Sequence, residues 1–164
     1  MQRLPRTKGC FVCGTTNPIG LGLELVDEGE SVSARFRPRP EHVGFKDTVH
    51  GGLIAALLDE VMVWVCGVRT GQFAYCAELT VRYRRPARPG RDLLASAKLV
   101  TNRQNKVLEA QATLHDGPAL LLATATGKYV PVPAAAVPEL LADFVGDIRA
   151  VVKQPNPRAR SQPQ

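Results

Sequence analysis

Residues 50–60 constrain this chain more than any other segment, because they read His-Gly-Gly, then six mostly apolar residues, then Asp-Glu. The sequence stays apolar on nearly every helical face as far as about Gly67, which predicts a buried helix. Gly51 and Gly52 let a ligand approach the free N–H groups of the helix start, where the helix dipole favours an oxyanion. Asp59 lies inside the apolar stretch, where a carboxylate is costly unless it has a role. The segment therefore predicts two parts of an acyl-transfer site.

Length and composition limit the class of protein. The 164 residues indicate one domain. The net charge of +6 suits either a solvated face with a basic tail or an attraction to phosphates, such as those of coenzyme A or nucleic acid. No helix-turn-helix, zinc module or interleaved aromatic stripe accompanies this charge, so nucleic acid is not an expected partner. No apolar run reaches about 18 residues and no apolar signal core follows the basic first residues, so we expect a cytoplasmic protein without a membrane partner. The four cysteines lack disulfide spacing and are expected to be reduced.

The remaining patterns predict an antiparallel sheet. The expected strands cover residues 21–26, 31–37, 73–84, 92–101, 107–115 and 120–130, with a loop at 41–49. This order predicts an α+β fold, in which an antiparallel sheet wraps around one long buried helix. One helix cannot cover a whole curved sheet of this size, so we expect a homodimer that joins sheets edge to edge or packs helices together.

Two prolines at positions 131 and 133 end the predicted domain, which occupies residues 1–133. Residues 134–164 are interpreted as a C-terminal extension. We expect it to contain a short helix, over 137–152, followed by a basic, disordered tail over 153–164.

Several motifs resemble the hot-dog-fold acyl-CoA thioesterases, specifically the PaaI-like (phenylacetate-pathway) branch. The helix motif at residues 50–60 carries the resemblance, together with Cys-Phe-Val-Cys-Gly at 10–14 and Asn-Pro-Ile-Gly-Leu at 17–21. The loop at 41–45 and the strand at 78–86 also match the family pattern. The resemblance covers roughly residues 10–130, and it is specific as to fold but not as to substrate.

The resemblance implies a homodimer, often a dimer of dimers, that binds acyl-CoA at the subunit interface and hydrolyses its thioester. Neither a metal nor another cofactor is expected. The resemblance makes Asp59 the nucleophile or general base, Gly51 the oxyanion donor and His50 a residue that orients the thioester. A structural alternative stays open for His50, as the N-cap of the helix, and for Asp59, as a carboxylate held by backbone or a neighbouring cation.

Four further residues are expected to bind substrate, namely Gly52, Cys76, Arg82 and Arg84. The two arginines suit the phosphates of coenzyme A, although they also suit a solvated strand and turn. Many family members carry Thr or Ser where this chain has Cys76, and Asn or Gln where it has Gly44. These two departures concern the part of the site that orients water.

Helix geometry adds a constraint that does not depend on the family. Asp59 lies eight residues after Gly51, which is roughly 12 Å along a helix axis at 1.5 Å per residue. One helix cannot bring both groups to the same carbonyl. If both act, Asp59 of one subunit meets Gly51 of the other, and a forced monomer is inactive.

The remaining ionisable groups receive structural interpretations. Glu60 points about 100° away from Asp59 and is expected to pair with an arginine or to lie on a charged helix face. Cys10 and Cys13 have the spacing of half a zinc site, but the sequence offers no second pair, so we expect no metal there. Cys66 and Cys76 are expected to be small buried residues.

Two rival functions remain at this point. The first is a hot-dog dimer that binds acyl-CoA without hydrolysing it, which the departures at Cys76 and Gly44 favour. The second is a hot-dog dehydratase or hydratase, which pairs a histidine with a carboxylate on a different motif that this sequence lacks. Fold alone cannot separate these functions, because function depends on the site.

Overall fold

The computed structural model of the chain describes residues 1–151. The predicted disordered tail, residues 153–164, lies outside the described residues. Within them the two α-helices are α1 (Gly51–Thr70) and α2 (Val137–Ala142). The strands in chain order are β1 Gln2–Arg3, β2 Arg6–Thr7, β3 Leu25–Asp27, β4 Val32–Phe36, β5 Val43–Phe45, β6 Thr48–Val49, β7 Ala74–Tyr83, β8 Leu93–Arg103, β9 Val107–Asp116, β10 Leu120–Pro131 and β11 Phe144–Val145.

The main sheet has seven strands in the order β1-β3-β4-β8-β9-β10-β7, and every pairing in it is antiparallel. The small strands β2 and β11 pair with each other, as do β5 and β6. The strand β7 is an edge strand of ten residues that pairs only with β10 in the part of the chain described. This arrangement confirms the predicted α+β architecture, and it leaves one long edge of the sheet open.

The helix α1 packs against one face of this sheet and contacts β4, β7, β8, β9 and β10. Ten of its residues are buried, among them Leu57, Leu58 and Val61, which are fully inaccessible to solvent. It is also long and apolar enough to span a membrane by length and composition alone, but 56% of that apolar stretch is buried inside this fold. The helix is therefore the core helix that the sequence predicts.

Two backbone features define the ends of α1. His50 is the N-cap, and its extended backbone is followed at once by the helical Gly51. The helix ends at Thr70 rather than near Gly67, because Gly71 adopts the left-handed conformation at φ 72° and donates its N–H to the Gly67 carbonyl.

Three other predicted boundaries are wrong. The strand expected at 21–26 is confined to Leu25–Asp27, since Gly22 has a positive φ of 65° that interrupts an extended chain. The expected loop at 41–49 contains the hairpin β5–β6. The helix expected over 137–152 ends at Ala142, and the chain then forms β11 against β2.

The C-terminal extension packs against α1 on the side away from the sheet. Phe144 lies against Trp64 and Phe73, with ring centroids 5.9 and 5.2 Å apart. Val151 is 1% exposed, and a Cβ added at Gly67 would lie 3.1 Å from its side chain. The extension thus covers the C-terminal half of α1.

One partly buried ion pair connects α1 to strand β3 of the sheet. Both guanidinium N–H₂ groups of Arg69, in the last helical turn, donate to the carboxylate of Asp27 in β3. The two side chains are 22% and 18% exposed, and the Arg69 guanidinium holds the pKa of Asp27 below its usual range. The pair therefore stabilises the fold only while Asp27 is ionised.

We predict that Asp27→Asn lowers the free energy of unfolding by about 1.5–3 kcal/mol at neutral pH, the range for hydrogen bonds to charged groups. Because the pKa of Asp27 is depressed in the folded state, this contribution is present above about pH 4 and is lost as the pH falls further. Urea unfolding at a series of pH values measures the difference between variant and wild type.

The matched control is Asp92→Asn, since the Asp92 side chain is 76% exposed and should change stability little. A difference between Asp27→Asn and wild type that persists unchanged at acid pH would contradict the assignment.

Candidate active site

The N-terminus of α1 has one free hydrogen-bond donor. The Nδ1 atom of His50 accepts the N–H of Gly52 at 3.0 Å, and the His50 carbonyl accepts those of Leu53 and Ile54. The N–H of Gly51 has no acceptor among residues 1–151. His50 therefore caps the helix and satisfies the Gly52 amide, while the Gly51 amide keeps its hydrogen available for a ligand.

The start of α1 lies between strand β7 and two surface cavities. The Tyr83 hydroxyl donates to the Gly51 carbonyl at 2.7 Å, which fixes the first helical turn against the strand. A cavity of about 380 Å³ borders Gly51, Tyr83 and Arg84. A second cavity of about 650 Å³ borders His50 and Gly52 together with Phe11 and other residues of the N-terminal segment.

Gly44 in β5 lies directly against His50. A Cβ added at Gly44 would lie 2.6 Å from the His50 Cδ2 atom and 3.1 Å from its Cα. A larger side chain at position 44 would displace His50. The departure from the family pattern at Gly44 thus has a local steric reason in this chain.

The Asp59 carboxylate is held by a buried tyrosine on β10. The hydroxyl of Tyr129 donates to Asp59 Oδ1 at 2.8 Å, and Tyr129 itself is 0% exposed. Burial, and then the Asp59 charge, raises the pKa of Tyr129 far above its usual range, so the hydroxyl remains a donor. Asp59 itself is partly exposed. No local signal in the sequence points to Tyr129, since it lies 70 residues away.

A missing side chain at Gly127 makes room for Tyr129. A Cβ added there would lie 2.7 Å from Cε2 and 2.8 Å from the hydroxyl oxygen of Tyr129. The tyrosine ring thus crosses the strand backbone above Gly127 on its way to Asp59. The glycine and the tyrosine together position the carboxylate.

A β-bulge in β7 turns Cys76 toward Asp59. Lys128 pairs with Glu78 and Tyr129 pairs with Cys76, so Ala77 has no partner on β10. In a regular strand the side chains of Cys76 and Glu78 would lie on the same face of the sheet. The unpaired residue Ala77 places them on opposite faces. Desolvation, and then a hydrogen bond to Asp59, raises the pKa of the Cys76 thiol to about 11. The expectation that Cys76 is buried is wrong, because it lies exposed on the edge strand.

The two arginines lie apart from Asp59. Arg82 and Arg84 border a cavity of about 500 Å³ on the outer face of the sheet, together with Lys98. Arg84 also borders the smaller cavity at Gly51, whereas Arg82 does not.

Asp59 and Gly51 lie on one continuous helix, as the sequence predicts. Their separation of eight residues corresponds to roughly 12 Å along the axis. Within one chain the carboxylate with Tyr129 and Cys76, and the free amide with His50, are two separate half-sites.

The expected roles of Glu60 are wrong. Among the described residues it forms no ion pair with an arginine, and it points into the fold toward the N-terminal segment. Its Oε1 accepts the Trp64 indole N–H at 3.0 Å, and both its oxygens lie 3.9 Å from Cys10 Sγ. Burial, and then the Cys10 charge, raises the pKa of Glu60 to about 7.

Comparisons with known proteins agree with this geometry. The model of the thioesterase superfamily matches residues 46–123, which include α1 and β7 to β9. No curated protein matches the chain in a comparison of sequences. The chain spans 63% of the length of one solved thioesterase superfamily protein, which is 23% identical over 75% of this chain with a TM-score of 0.68.

Other solved structures share the fold. The Escherichia coli PaaI protein from the phenylacetic acid degradation operon is 18% identical, with a TM-score of 0.64 over 69% of this chain and 81% of that chain. The Streptococcus mutans UA159 protein smu.793, solved with acetyl CoA, is 20% identical, with a TM-score of 0.62 over 67% of this chain and 88% of that chain. A phenylacetic acid degradation-related protein from Ralstonia eutropha JMP134 is 27% identical, with a TM-score of 0.59 over 67% of this chain and 85% of that chain.

The chain is similar to the thioesterase superfamily over residues 46–123, and it has the hot-dog fold of the PaaI protein and the other solved structures. This confirms the fold that the residues at 50–60 predict, and it supports the resemblance to the PaaI-like thioesterases.

We predict that Gly127→Ala displaces Tyr129 from Asp59 and lowers the free energy of unfolding by about 1–3 kcal/mol, because the new methyl group overlaps the ring. Thermal unfolding measures the loss. Gly9→Ala is the matched control, since a Cβ at Gly9 meets nothing within 4 Å. Equal stability of the two variants would contradict the placement of the ring.

Proposed function

We propose that this chain hydrolyses the thioester bond of an acyl-CoA at a site formed by two copies of the chain. One observation carries the proposal. The Gly51 amide is a free donor at the start of α1, and the Asp59 carboxylate is held by Tyr129 two turns further along the same helix. Since roughly 12 Å separates them, they act on one carbonyl only if a second copy supplies one of them.

The open edge of β7 supports the dimer. Its ten residues present unpaired backbone N–H and C=O groups, within the part of the chain described, on the side away from β10. Tyr75 and Tyr83 on this strand are each 53% exposed. A second copy that pairs here would extend the sheet and cover both rings. We expect a homodimer or a dimer of dimers.

The proposed reaction uses the two half-sites in different roles. The Gly51 amide, assisted by the helix dipole, stabilises the oxyanion that forms when the thioester carbonyl is attacked. Asp59 of the other copy either takes a proton from an attacking water or attacks the carbonyl carbon itself. In the first route the water oxygen forms the new C–O bond, the C–S bond breaks, and the thiolate of coenzyme A takes the proton from Asp59. In the second route the C–S bond breaks as an anhydride with Asp59 forms, and water then hydrolyses the anhydride, which releases the free acid, restores the carboxylate and supplies the proton to the thiolate. No metal or other cofactor enters these steps.

The surrounding residues have supporting roles in this proposal. Tyr129 holds one oxygen of Asp59, so the other oxygen is directed at the substrate or water. The Cys76 thiol replaces a hydroxyl beside Asp59, and His50 and Gly52 line the larger cavity at the helix start. Arg84, and Arg82 beside it, offer positive charge to the phosphates of coenzyme A.

The ligand class rests on two further supports. The family is named for thioester hydrolysis, and the Streptococcus mutans neighbour was solved with acetyl CoA. The acyl group stays open, because the part of the pocket supplied by the second copy determines its depth. A cytoplasmic location belongs to the same proposal.

Thiol release from short, long and aromatic acyl-CoAs tests the function. We predict turnover by the wild type, and a fall of about 100-fold or more in kcat for Asp59→Asn, since a positioned general base contributes 10²–10⁴-fold. Asp92→Asn, at an exposed carboxylate, is the control and should keep full activity. If no substrate is turned over while acyl-CoA still raises the Tm, the result would contradict hydrolysis and favour a protein that binds acyl-CoA without hydrolysing it.

A pair of variants at one position isolates the amide donor. Gly51→Pro removes the free N–H at the first helical position, where proline is tolerated, whereas Gly51→Ala keeps it. Both variants place a Cβ about 3.3 Å from the Tyr83 ring, so the steric effect of the Cβ is the same in both. We predict that only Gly51→Pro loses about 10²–10³-fold in kcat, the value of one oxyanion-hole donor. Similar kcat values for the two variants would contradict the role of the amide.

A further inference from the structure

The proposed hydrolysis leaves one cluster of reactive side chains unused. Cys10, Cys13 and Glu60 place their ligand atoms within 4.8 Å of one another, at the point where the N-terminal segment crosses α1. Cys13 is buried, and Cys10 and Glu60 are partly buried. Only the two cysteines are close in the sequence, and the fold brings Glu60 next to them.

We propose that Cys10, Cys13 and Glu60 bind one Zn²⁺ ion, with a fourth position left for a water molecule. Thiolate and carboxylate ligands suit a borderline-soft divalent cation, and three protein ligands with one open position are a known zinc arrangement.

The distances fit a tetrahedral ion. Zinc bonds of about 2.3 Å to sulfur and 2.0–2.2 Å to a carboxylate oxygen place tetrahedral ligands about 3.6 Å apart for S and O, and about 3.8 Å apart for two S atoms. Both Glu60 oxygens lie 3.9 Å from Cys10 Sγ, and no pair of ligand atoms exceeds 4.8 Å. Side-chain shifts of about 1 Å or less therefore complete the geometry.

The turn at residues 10–14 is shaped to present a thiolate. The N–H groups of Val12 and Cys13 point at Cys10 Sγ, at 3.2 and 3.4 Å, and the Gly14 N–H closes the turn on the Cys10 carbonyl at 2.9 Å. A Cβ at Gly14 would lie 2.2 Å from that carbonyl oxygen, so the turn requires glycine there.

No cation among the described residues forms an ion pair with Glu60. The Arg6 guanidinium donates to the carbonyls of Cys13 and Gly14 rather than to the thiols or to Glu60. Two thiols and a carboxylate at van der Waals distance repel once they ionise, and a divalent cation converts this repulsion into attraction.

An outer hydrogen bond also supports a metal site. The Trp64 indole donates to Glu60 Oε1 at 3.0 Å and orients the carboxylate toward the cysteines. Metal-binding side chains are commonly held in this way by a second layer of hydrogen bonds. Because Glu60 follows Asp59 directly, the ion would fix α1 to the N-terminal segment beside the proposed catalytic carboxylate.

The test uses the full chain, kept reduced and freed of bound metal with a chelator. Zn²⁺ is then added and the excess is removed by dialysis. We expect metal analysis to find one equivalent of Zn²⁺ per chain. We also expect Co²⁺ to show a thiolate charge-transfer band and the visible bands of a tetrahedral ion. Because this spectrum is measured on wild-type protein, it does not depend on whether a variant folds.

Variants assign the ligands. Cys10→Ser, Cys13→Ser and Glu60→Gln should weaken Zn²⁺ binding by more than the roughly 10–100-fold expected for Trp64→Phe, which removes only the outer hydrogen bond. Cys66→Ala and Glu139→Gln are the matched thiol and carboxylate controls, remote from the cluster, and should bind like wild type. Circular dichroism checks that each variant is folded.

The proposal is overturned if the reduced wild type binds no Zn²⁺ and gives no thiolate band with Co²⁺. It is also overturned if the ligand variants bind as tightly as the controls, or if the cysteines form only a disulfide. These readouts are independent of thioester hydrolysis, so the two proposals can fail separately.

Discussion

The need to cover an apolar helix on every side determines the rest of this structure. The sheet covers one side of α1, and the N-terminal segment and the C-terminal extension pack on the other. Each face of the helix therefore contacts a different part of the fold. The Gly51 amide lies at the start of α1, Asp59 contacts Tyr129 on the sheet, and Glu60 contacts Cys10 on the N-terminal segment. The surroundings of Asp59 and Glu60 thus depend on which part of the fold each side chain contacts.

The sequence predicts the parts of this fold that depend on local chemistry. The His-Gly-Gly start predicts the helix N-terminus, and His50 is indeed its N-cap. Alternating apolar residues predict the long strands, and their bounds agree within a few residues. The spacing of Gly51 and Asp59 predicts two half-sites, since it requires only the helical rise.

Other features depend on contacts between distant residues, which no local pattern encodes. Tyr129 on β10 meets Asp59 from 70 residues away in the chain, and the bulge at Ala77 in β7 turns Cys76 toward the same carboxylate. The local sequence around Glu60 does not distinguish it from a glutamate on an exposed, charged helix face. Its burial follows from how the N-terminal segment crosses α1, 50 residues away in the chain.

The central claim is that Gly51 of one copy and Asp59 of another serve the same carbonyl. Mixed dimers, purified through two different affinity tags, test it most directly when one copy carries Gly51→Pro and the other Asp59→Asn. Each parent dimer is expected to be inactive, while the mixed dimer contains one intact site of two and should recover about half of the wild-type rate. Mixed dimers as inactive as their parents, beside active doubly tagged wild type, would contradict the composite site.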